Sequence, residues 1–456
     1  MVSLVRVLIV LVFVLVLWTT LGSVSTSTAY HSATFSLSPG SITRVSVSSS
    51  GTQANNHSYS PAISTDGRYV AFESTATNLV GGSNNGRSHI YVHDRQTGQT
   101  TRVSVDSDGI QANQNSNWAS VSADGRYVVF ESDATNLVGS DTNGKEDIFV
   151  HDRQTSQTTR ISVASDGTQG NDDSVRPSIS GDGRYVAFYS EANNLVLGDT
   201  NGHSDVFVHD RQTEQTTRVS VSSAGVQGNN ESFVPRISAN GRYVAFESYA
   251  SNLVSGDGNA SQDVFVHDRE LGLTTLVSMT NLGASGDNRS ISPSINADGR
   301  YVAFLSTATN LVSNDTNSYD DIFVHDRGSQ TTRVSVASDG AQGNGQSWSP
   351  SISGDGRYVT FRSSAANLVS ADTNAKFDIF VHDRQTNQTT RISIASNGAQ
   401  GDDDSSGPAI STDGRYVAFY SQATNLVGGD TNGKYDIFVY DRDGEPRRIY
   451  LPLILR

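Results

Sequence analysis

Ser64-Thr65-Asp66-Gly67-Arg68-Tyr69-Val70-Ala71-Phe72 decides the fold, because a close variant of it returns every 58 residues, with one step of 57. Its glycine recurs at Gly67, Gly125, Gly183, Gly241, Gly299, Gly356 and Gly414. Seven strand-rich copies on so regular a pitch describe one repeat architecture rather than a series of enzyme domains. The reading is all-β: a seven-bladed β-propeller with four antiparallel strands per blade.

Working outward from that stretch, Ser60 to Ser64 is predicted as strand A and Arg68 to Ser74 as strand B, with a tight turn at Asp66-Gly67. Asp147-Ile148-Phe149-Val150-His151-Asp152 reads as strand C, and Thr158 to Val163 as strand D. Strand D is centred on Arg44, Arg102, Arg160, Arg218, Leu276, Arg333 and Arg391, so its first copy precedes every strand A. That orphan is expected to complete blade seven, whose other strands lie near Ser406 to Asp441, and so to latch the ring. Arg447 to Ile454 competes for the same outer edge as a fourth strand, a fifth strand or a surface tag, and Pro452 restricts it to an edge. The expected layout is a signal peptide over 1–29, a lead-in over 30–40, the propeller over 41–442, and an edge strand or tail over 443–456.

A chain of 456 residues with 35% hydrophobic content is sparse for a globular core, but seven blades spend many residues on turns. A net charge of -15 and a pI near 5.0 oppose binding to a phosphate backbone, so nucleic acid is not an expected partner. There is no cysteine, which removes disulfides and thiolate chemistry. Arg6, the apolar run Val7 to Trp18 and Ser27-Thr28-Ala29 read as a signal peptide cleaved before Tyr30, with a retained N-terminal anchor as the alternative. If the signal is cleaved, the mature chain has no expected membrane span and is secreted, periplasmic or displayed at the cell surface.

The D-to-A loops, such as Ser107 to Asn117, and the B-to-C loops, such as Ala134 to Glu146, are long and share one face, where function is expected. Six B-to-C loops carry Asp-x-Asn-x-x-x-Asp: Asp141, Asn143 and Asp147; Asp199, Asn201 and Asp205; Asp257, Asn259 and Asp263; Asp315, Asn317 and Asp321; Asp372, Asn374 and Asp378; Asp430, Asn432 and Asp436. Oxygens at that spacing suit calcium, the one cofactor the sequence suggests, and equally suit turns closed by side-chain bonds to backbone N–H groups. Blade one has Ser83, Asn85 and His89 there and is not expected to hold a cation.

His93, His151, His209, His267, His325 and His382 recur in strand C, one per blade, and are expected to make interblade hydrogen bonds rather than to gather around one metal. The following Asp-Arg pair is expected to brace the turn into strand D. Tyr59, Trp118, Val175, Phe233, Ile291, Trp348 and Ser406 are read as equivalent positions at the start of strand A, with Arg176 and Arg236 adding positive charge nearby. Tyr59, Trp118, Arg176, Phe233, Arg236 and Trp348 form the expected ligand-binding rim, the alternative being plain interior packing. No phosphate loop or nucleophile elbow is present, and Glu73, Glu131 and Glu247 repeat in strand B instead of forming one opposed pair. No catalytic residue is assigned.

The strings Ile63-Ser64-x-Asp66-Gly67-Arg68-Tyr69-Val70-Ala71-Phe72 and Asp147-Ile148-Phe149-Val150-x-Asp152 resemble the WD40-like (PD40) repeat of TolB and its relatives, over roughly residues 41 to 442. The resemblance implies a secreted or periplasmic propeller that presents surfaces to partners. An additional N-terminal α/β domain of the TolB kind is not seen, and the repeat here is longer. Three functions follow: a binding or scaffold module for a glycan or extracellular protein on the long-loop face; a polysaccharide-active hydrolase or lyase at the central channel mouth; or a purely structural surface protein.

Overall fold

The computed structural model describes residues 40–82 and 84–444. The expected signal peptide, nearly all of the lead-in, Ser83 and the segment Arg447 to Ile454 lie outside the described residues. Within them are twenty-eight strands, β1 to β28 in chain order, grouped into seven four-stranded antiparallel sheets. Blade two shows the plan: β6 (Ser116–Val121), β7 (Tyr127–Ser132), β8 (Asp147–Asp152) and β9 (Gln157–Arg160) pair in that order.

Strand C is as expected, whereas strand D ends at Arg160 rather than Val163. Arg160 already pairs with Phe149 near the start of strand C, leaving only the Ile148 carbonyl to accept from Ile161 before the chain turns away. Strand A starts two residues earlier than expected because it contains a bulge, described below.

The ring closes as the repeat count requires. β1 (Ser41–Arg44) pairs with β28 (Asp436–Asp441), Ser41 opposite Asp441 and Arg44 opposite Phe438, and so forms the fourth strand of blade seven. Ser46 extends the latch: its Oγ donates to Asp436 Oδ1 at 2.5 Å and accepts from Ile437 N at 3.0 Å.

The core lies between blades. Val129, Ile148 and Val150 of blade two pack with Val186, Phe188 and Phe207 of blade three. The same layer at the closure joins Val70, Phe72 and Tyr91 of blade one to Ala418, Ile437 and Val439 of blade seven. Each fully buried Phe contributes about 2 kcal/mol of apolar burial, so most of the stability belongs to contacts a single blade cannot make.

The Ser-x-Asp-Gly-Arg-Tyr string is explained by the A-to-B turn. Ser64 Oγ donates to Asp66 Oδ1 at 2.7 Å and accepts from Tyr69 N at 2.9 Å, while Asp66 Oδ1 accepts from Arg68 N at 3.0 Å. Asp94 braces the turn into strand D as expected, its Oδ1 accepting from Gln96 N at 2.9 Å, and the Asp-Arg pair also ties that turn to the A-to-B turn. Arg68 makes a two-bond fork to Asp94, at 2.9 and 2.7 Å, and Arg95 Nη1 donates to Gly67 O at 2.7 Å.

The strand-C histidines bond within their own blade, to a strand-D threonine that makes the interblade bond expected of the histidine itself. His151 Nδ1 lies 2.9 Å from Thr158 Oγ1, which donates at 2.5 Å to Val105 O of the preceding blade. His93, His209, His267, His325 and His382 repeat the arrangement.

A central mouth with one charged side

Strand A of every blade lines the central channel. Its ladder to strand B breaks after the second residue, as between Tyr59 and Ala62, and the third residue is bulged. That residue takes a positive φ in every blade: Ser60, Trp118, Arg176, Val234, Ser292, Ser349 and Gly407 lie between 44° and 57°. The next position is proline in six blades, Pro61, Pro177, Pro235, Pro293, Pro350 and Pro408. A proline has no N–H to give the ladder, so the bulge leaves nothing unpaired there.

The bulge corrects one sequence alignment. Trp118 is equivalent to Ser60 and Arg176, and Asn117 is the residue equivalent to Tyr59, as the pairing of both Tyr59 and Asn117 with strand-B glutamates shows. The one-residue offset turns Trp118 into the channel, where it is 38% exposed.

Trp118, Arg176 and Arg236 meet around a cavity of about 370 Å³ at the long-loop end of the channel. The Arg176 guanidinium lies 3.4 Å from the Trp118 ring centroid. Arg236, on the fifth residue of its strand, donates to Pro235 O at 3.1 Å. Burial, and then the charge of Arg176, pull the Arg236 pKa down to about 10. Among the described residues neither arginine has an ion-pair partner within 4.0 Å. Further in, the channel is ringed by Ile63, Val121, Ile179, Ile237, Ile295, Ile352 and Ile410, followed by small and polar residues such as Thr65, Gly181, Asn296 and Thr412.

The repeated glutamates have a structural task. Each accepts the bulge N–H of the following blade: Glu73 Oε2 from Trp118 at 3.1 Å, Glu131 Oε2 from Arg176 at 2.7 Å, and Glu247 Oε2 from Ser292 at 2.6 Å. Burial raises all three pKa values. Glu131 is pushed up to about 8 by burial and by the charge of Glu146, itself raised to about 7, chiefly by burial. Glu146 was not singled out in the sequence; its only signal was a glutamate where the other blades have Ser88, Ser204, Gln262, Asp320, Phe377 and Tyr435.

Tyr59, Phe233 and Trp348 do not join the mouth. Tyr59 packs between blades seven and one with His57, Tyr420 and Tyr435, at ring separations of 5.6, 5.5 and 5.3 Å. Phe233 meets Tyr189 and Tyr249 edge-on. Trp348 stacks on Phe377 at 5.3 Å and donates from Nε1 to Asp320 Oδ2 at 2.7 Å. These are separate aromatic joints between or within blades, the interior packing weighed as the alternative.

The Asp-x-Asn-x-x-x-Asp loops bring their two carboxylates together, and in five of six a guanidinium stands between them. Arg160 Nη1 lies 3.5 Å from Asp141 Oδ1 and 3.2 Å from Asp147 Oδ2, and Gln169 Nε2 donates to the same oxygens at 3.0 and 3.2 Å. Arg218, Arg333, Arg391 and Arg44 occupy the equivalent place at Asp199 and Asp205, Asp315 and Asp321, Asp372 and Asp378, and Asp430 and Asp436. Asn143 turns its amide nitrogen toward Asp147, and its oxygen accepts from Lys145 N at 3.0 Å, closing an Asx turn. At Asp257, Asn259 and Asp263 the arginine is replaced by Leu276 and the glutamine by Ser285. Asp263 there relies on Ser278 at 2.6 Å and Asn259 at 2.8 Å, and burial pushes its pKa up to about 6. In blade one, His89 faces Ser104 Oγ and the Asn84 carbonyl, each at 3.1 Å.

What these features define is a closed seven-bladed propeller with a single asymmetric, charged mouth. Its solved counterparts agree in fold. An oligogalacturonate lyase in complex with manganese aligns at 12% identity over 89% of this chain and 94% of its own, with a TM-score of 0.53. The β-propeller domain of the Trilobed protease from Pyrococcus furiosus aligns at 11% identity over 85% and 95%, with a TM-score of 0.51. TolB from Acinetobacter baumannii aligns at 13% over 83% and 82%, with a TM-score of 0.39. No protein-family model and no curated protein matches the chain. The propeller implied by the repeat is the fold of this chain, as its seven sheets show, and similarity to the lyase and the protease domain at these identities extends no further than fold.

Proposed function

We propose that this chain is an exported binding module that holds a glycan or an extracellular protein at the central mouth of its long-loop face. The observation that carries the reading is the convergence of Trp118, Arg176 and Arg236 on one side of a channel whose remaining lining, mostly Ser, Pro, Ala, Val and Ile with Tyr420, carries no charge. Seven-fold repetition builds a scaffold, and the break in repetition marks where a ligand is met asymmetrically. The long loops around the mouth are held in place: Asn136 Nδ2 donates to Gln111 O at 2.9 Å and its Oδ1 accepts from Asn113 N at 2.8 Å. A pre-formed rim costs little ordering on binding.

Export rests on the sequence of residues 1–29. Among the described residues no helix is long and apolar enough to cross a membrane. A polysaccharide-active enzyme is the second reading, favoured by the Glu131 and Glu146 pair beside Arg176. Against it, Glu131 is 5% exposed and is already bonded to the Arg176 backbone. Incubating the purified protein with the glycans it binds, and analysing them for new reducing ends or unsaturated ends, separates the two. Binding without cleavage, weakened by Trp118→Ala, is the expected result.

A further inference from the structure

Resting on that reading, we propose that the mouth selects a saccharide bearing carboxylate groups, a uronic-acid polymer or oligomer, with Arg176 and Arg236 taking the carboxylate and Trp118 taking the sugar ring. The chain carries a net charge of -15, yet two guanidinium groups sit in one cavity close enough for the charge of Arg176 to depress the pKa of Arg236. Placing two like charges together is unfavourable unless something negative meets them.

The acids nearby meet that charge only at a distance: Glu247 favours the charged form of Arg236, but among the described residues no carboxylate forms an ion pair with either arginine. Glu73, Glu131 and Glu247 each spend an oxygen on a bulge N–H of the next blade, and burial favours their neutral form. One arginine of every blade is forked to an aspartate, as Arg68 is to Asp94, and another, such as Arg95, donates to a turn carbonyl. Among the described arginines without a carboxylate partner, Arg176 and Arg236 are the two that line the cavity where the channel opens.

The saccharide is favoured over an acidic peptide by the shape of the site. Arg176 stacks on one face of the Trp118 ring beside a cavity of about 370 Å³, so a sugar would meet the other ring face or the outer face of the guanidinium. Either surface suits the C–H face of a pyranose, with a ring carboxylate reaching the second arginine. An extended peptide would need an unpaired strand edge, and strand A at the channel is bulged and carries proline in six blades.

Binding to polygalacturonate, its fully methyl-esterified form and poly-glutamate, measured by calorimetry on the full mature protein, tests the assignment. Polygalacturonate or its oligomers should bind, the neutral ester should not, and Arg176→Gln or Arg236→Gln should each weaken binding by about tenfold or more. Arg68→Gln, outside the mouth, serves as the control for general loss of charge. Equal binding of acid and ester, weakened by Trp118→Ala but not by the arginine changes, overturns the carboxylate assignment and leaves the mouth as the binding site. Tighter binding of poly-glutamate overturns it in favour of a protein ligand. Binding that none of the mouth variants affects overturns both, whereas a failure of all three polymers to bind overturns the carboxylate assignment alone.

Discussion

Tyr416 of the seventh blade lies against Gly67 of the first and makes there the contact that six other tyrosines make with the turn glycine of the following blade. Tyr69 meets Gly125, Tyr127 meets Gly183, and the chain of contacts runs on through Tyr358 and Gly414. Each ring is also held by two arginines: Arg95 and Arg415 stand 4.4 and 4.8 Å from the Tyr416 centroid. The repeat motif thus encodes the ring closure as well as the blade.

A methyl group at such a glycine would enter the tyrosine ring, and the backbone there has φ +72°. Gly125→Ala is expected to destabilise by about 2–4 kcal/mol, combining left-handed strain with overpacking. Gly109→Ala is the control, since it has φ +84° but open space around its Cβ; it should cost only about 1 kcal/mol. Urea denaturation of the two variants reads the difference.

The latch through β1 predicts that deleting residues 41–48 opens the ring. Blade seven would lose its outer strand, and Asp436 would lose Ser46 and the nearby Arg44. The milder Ser46→Ala leaves Asp436 and Ile437 N without that hydroxyl and should cost about 1–3 kcal/mol. Hydrogen exchange should then accelerate in β28 before other blades.

Stability is expected to fall in acid. Burial lowers the pKa of the strand-C histidines, to about 4 for His382. A folded pKa below the unfolded value of about 6.5 means that the stabilisation is complete above pH 6.5 and is lost as pH falls toward about 4. For His382 the full effect is of order 3 kcal/mol. Thermal melts from pH 7.5 to 4 should show the decline, and His382→Gln should flatten part of it.

Glu131 works in the opposite direction. Its folded pKa is raised to about 8, so its burial is tolerated below the unfolded value of about 4.5 and increasingly opposed as pH rises toward 8. Glu131→Gln keeps a side-chain acceptor for Arg176 N. It should be more stable than the parent at pH 9 and no more stable at pH 5.

The six Asp-x-Asn-x-x-x-Asp loops should respond unequally to calcium. In five, an ion must displace a guanidinium already between the carboxylates. Leu276 leaves the pair Asp257 and Asp263 without one. Any calcium-induced rise in melting temperature should therefore vanish in Asp263→Asn and persist in Asp147→Asn. Leu276→Arg should stabilise the calcium-free protein.

The propeller was legible because its signals are local and repeated seven times. Spacing gave the blade count, and the unpaired strand around Arg44 gave the closure. The mouth was legible only in part. Residue type flagged Trp118, Arg176 and Arg236, but matching aromatic to aromatic sets Trp118 against Tyr59, whereas the 58-residue period sets Asn117 there and puts Trp118 on the bulge. The aromatic joints at Tyr59, Phe233 and Trp348 could not be told from a binding rim, since their partners Tyr435, Tyr249 and Phe377 lie on B-to-C loops or beyond strand ends. The role of Arg160 and its copies was hidden for the same reason: its carboxylate partner Asp141 stands 19 residues away.

The most direct test of the central claim uses Trp118 as its own reporter. In the mature protein carrying Trp348→Phe, Trp118 is the remaining tryptophan, and its emission can be followed as oligogalacturonate is added. A saturable change in emission, with the same midpoint as calorimetry and weakened by Arg236→Gln, is the predicted result. Saturable binding by calorimetry with unchanged Trp118 emission would place the ligand elsewhere and contradict the account.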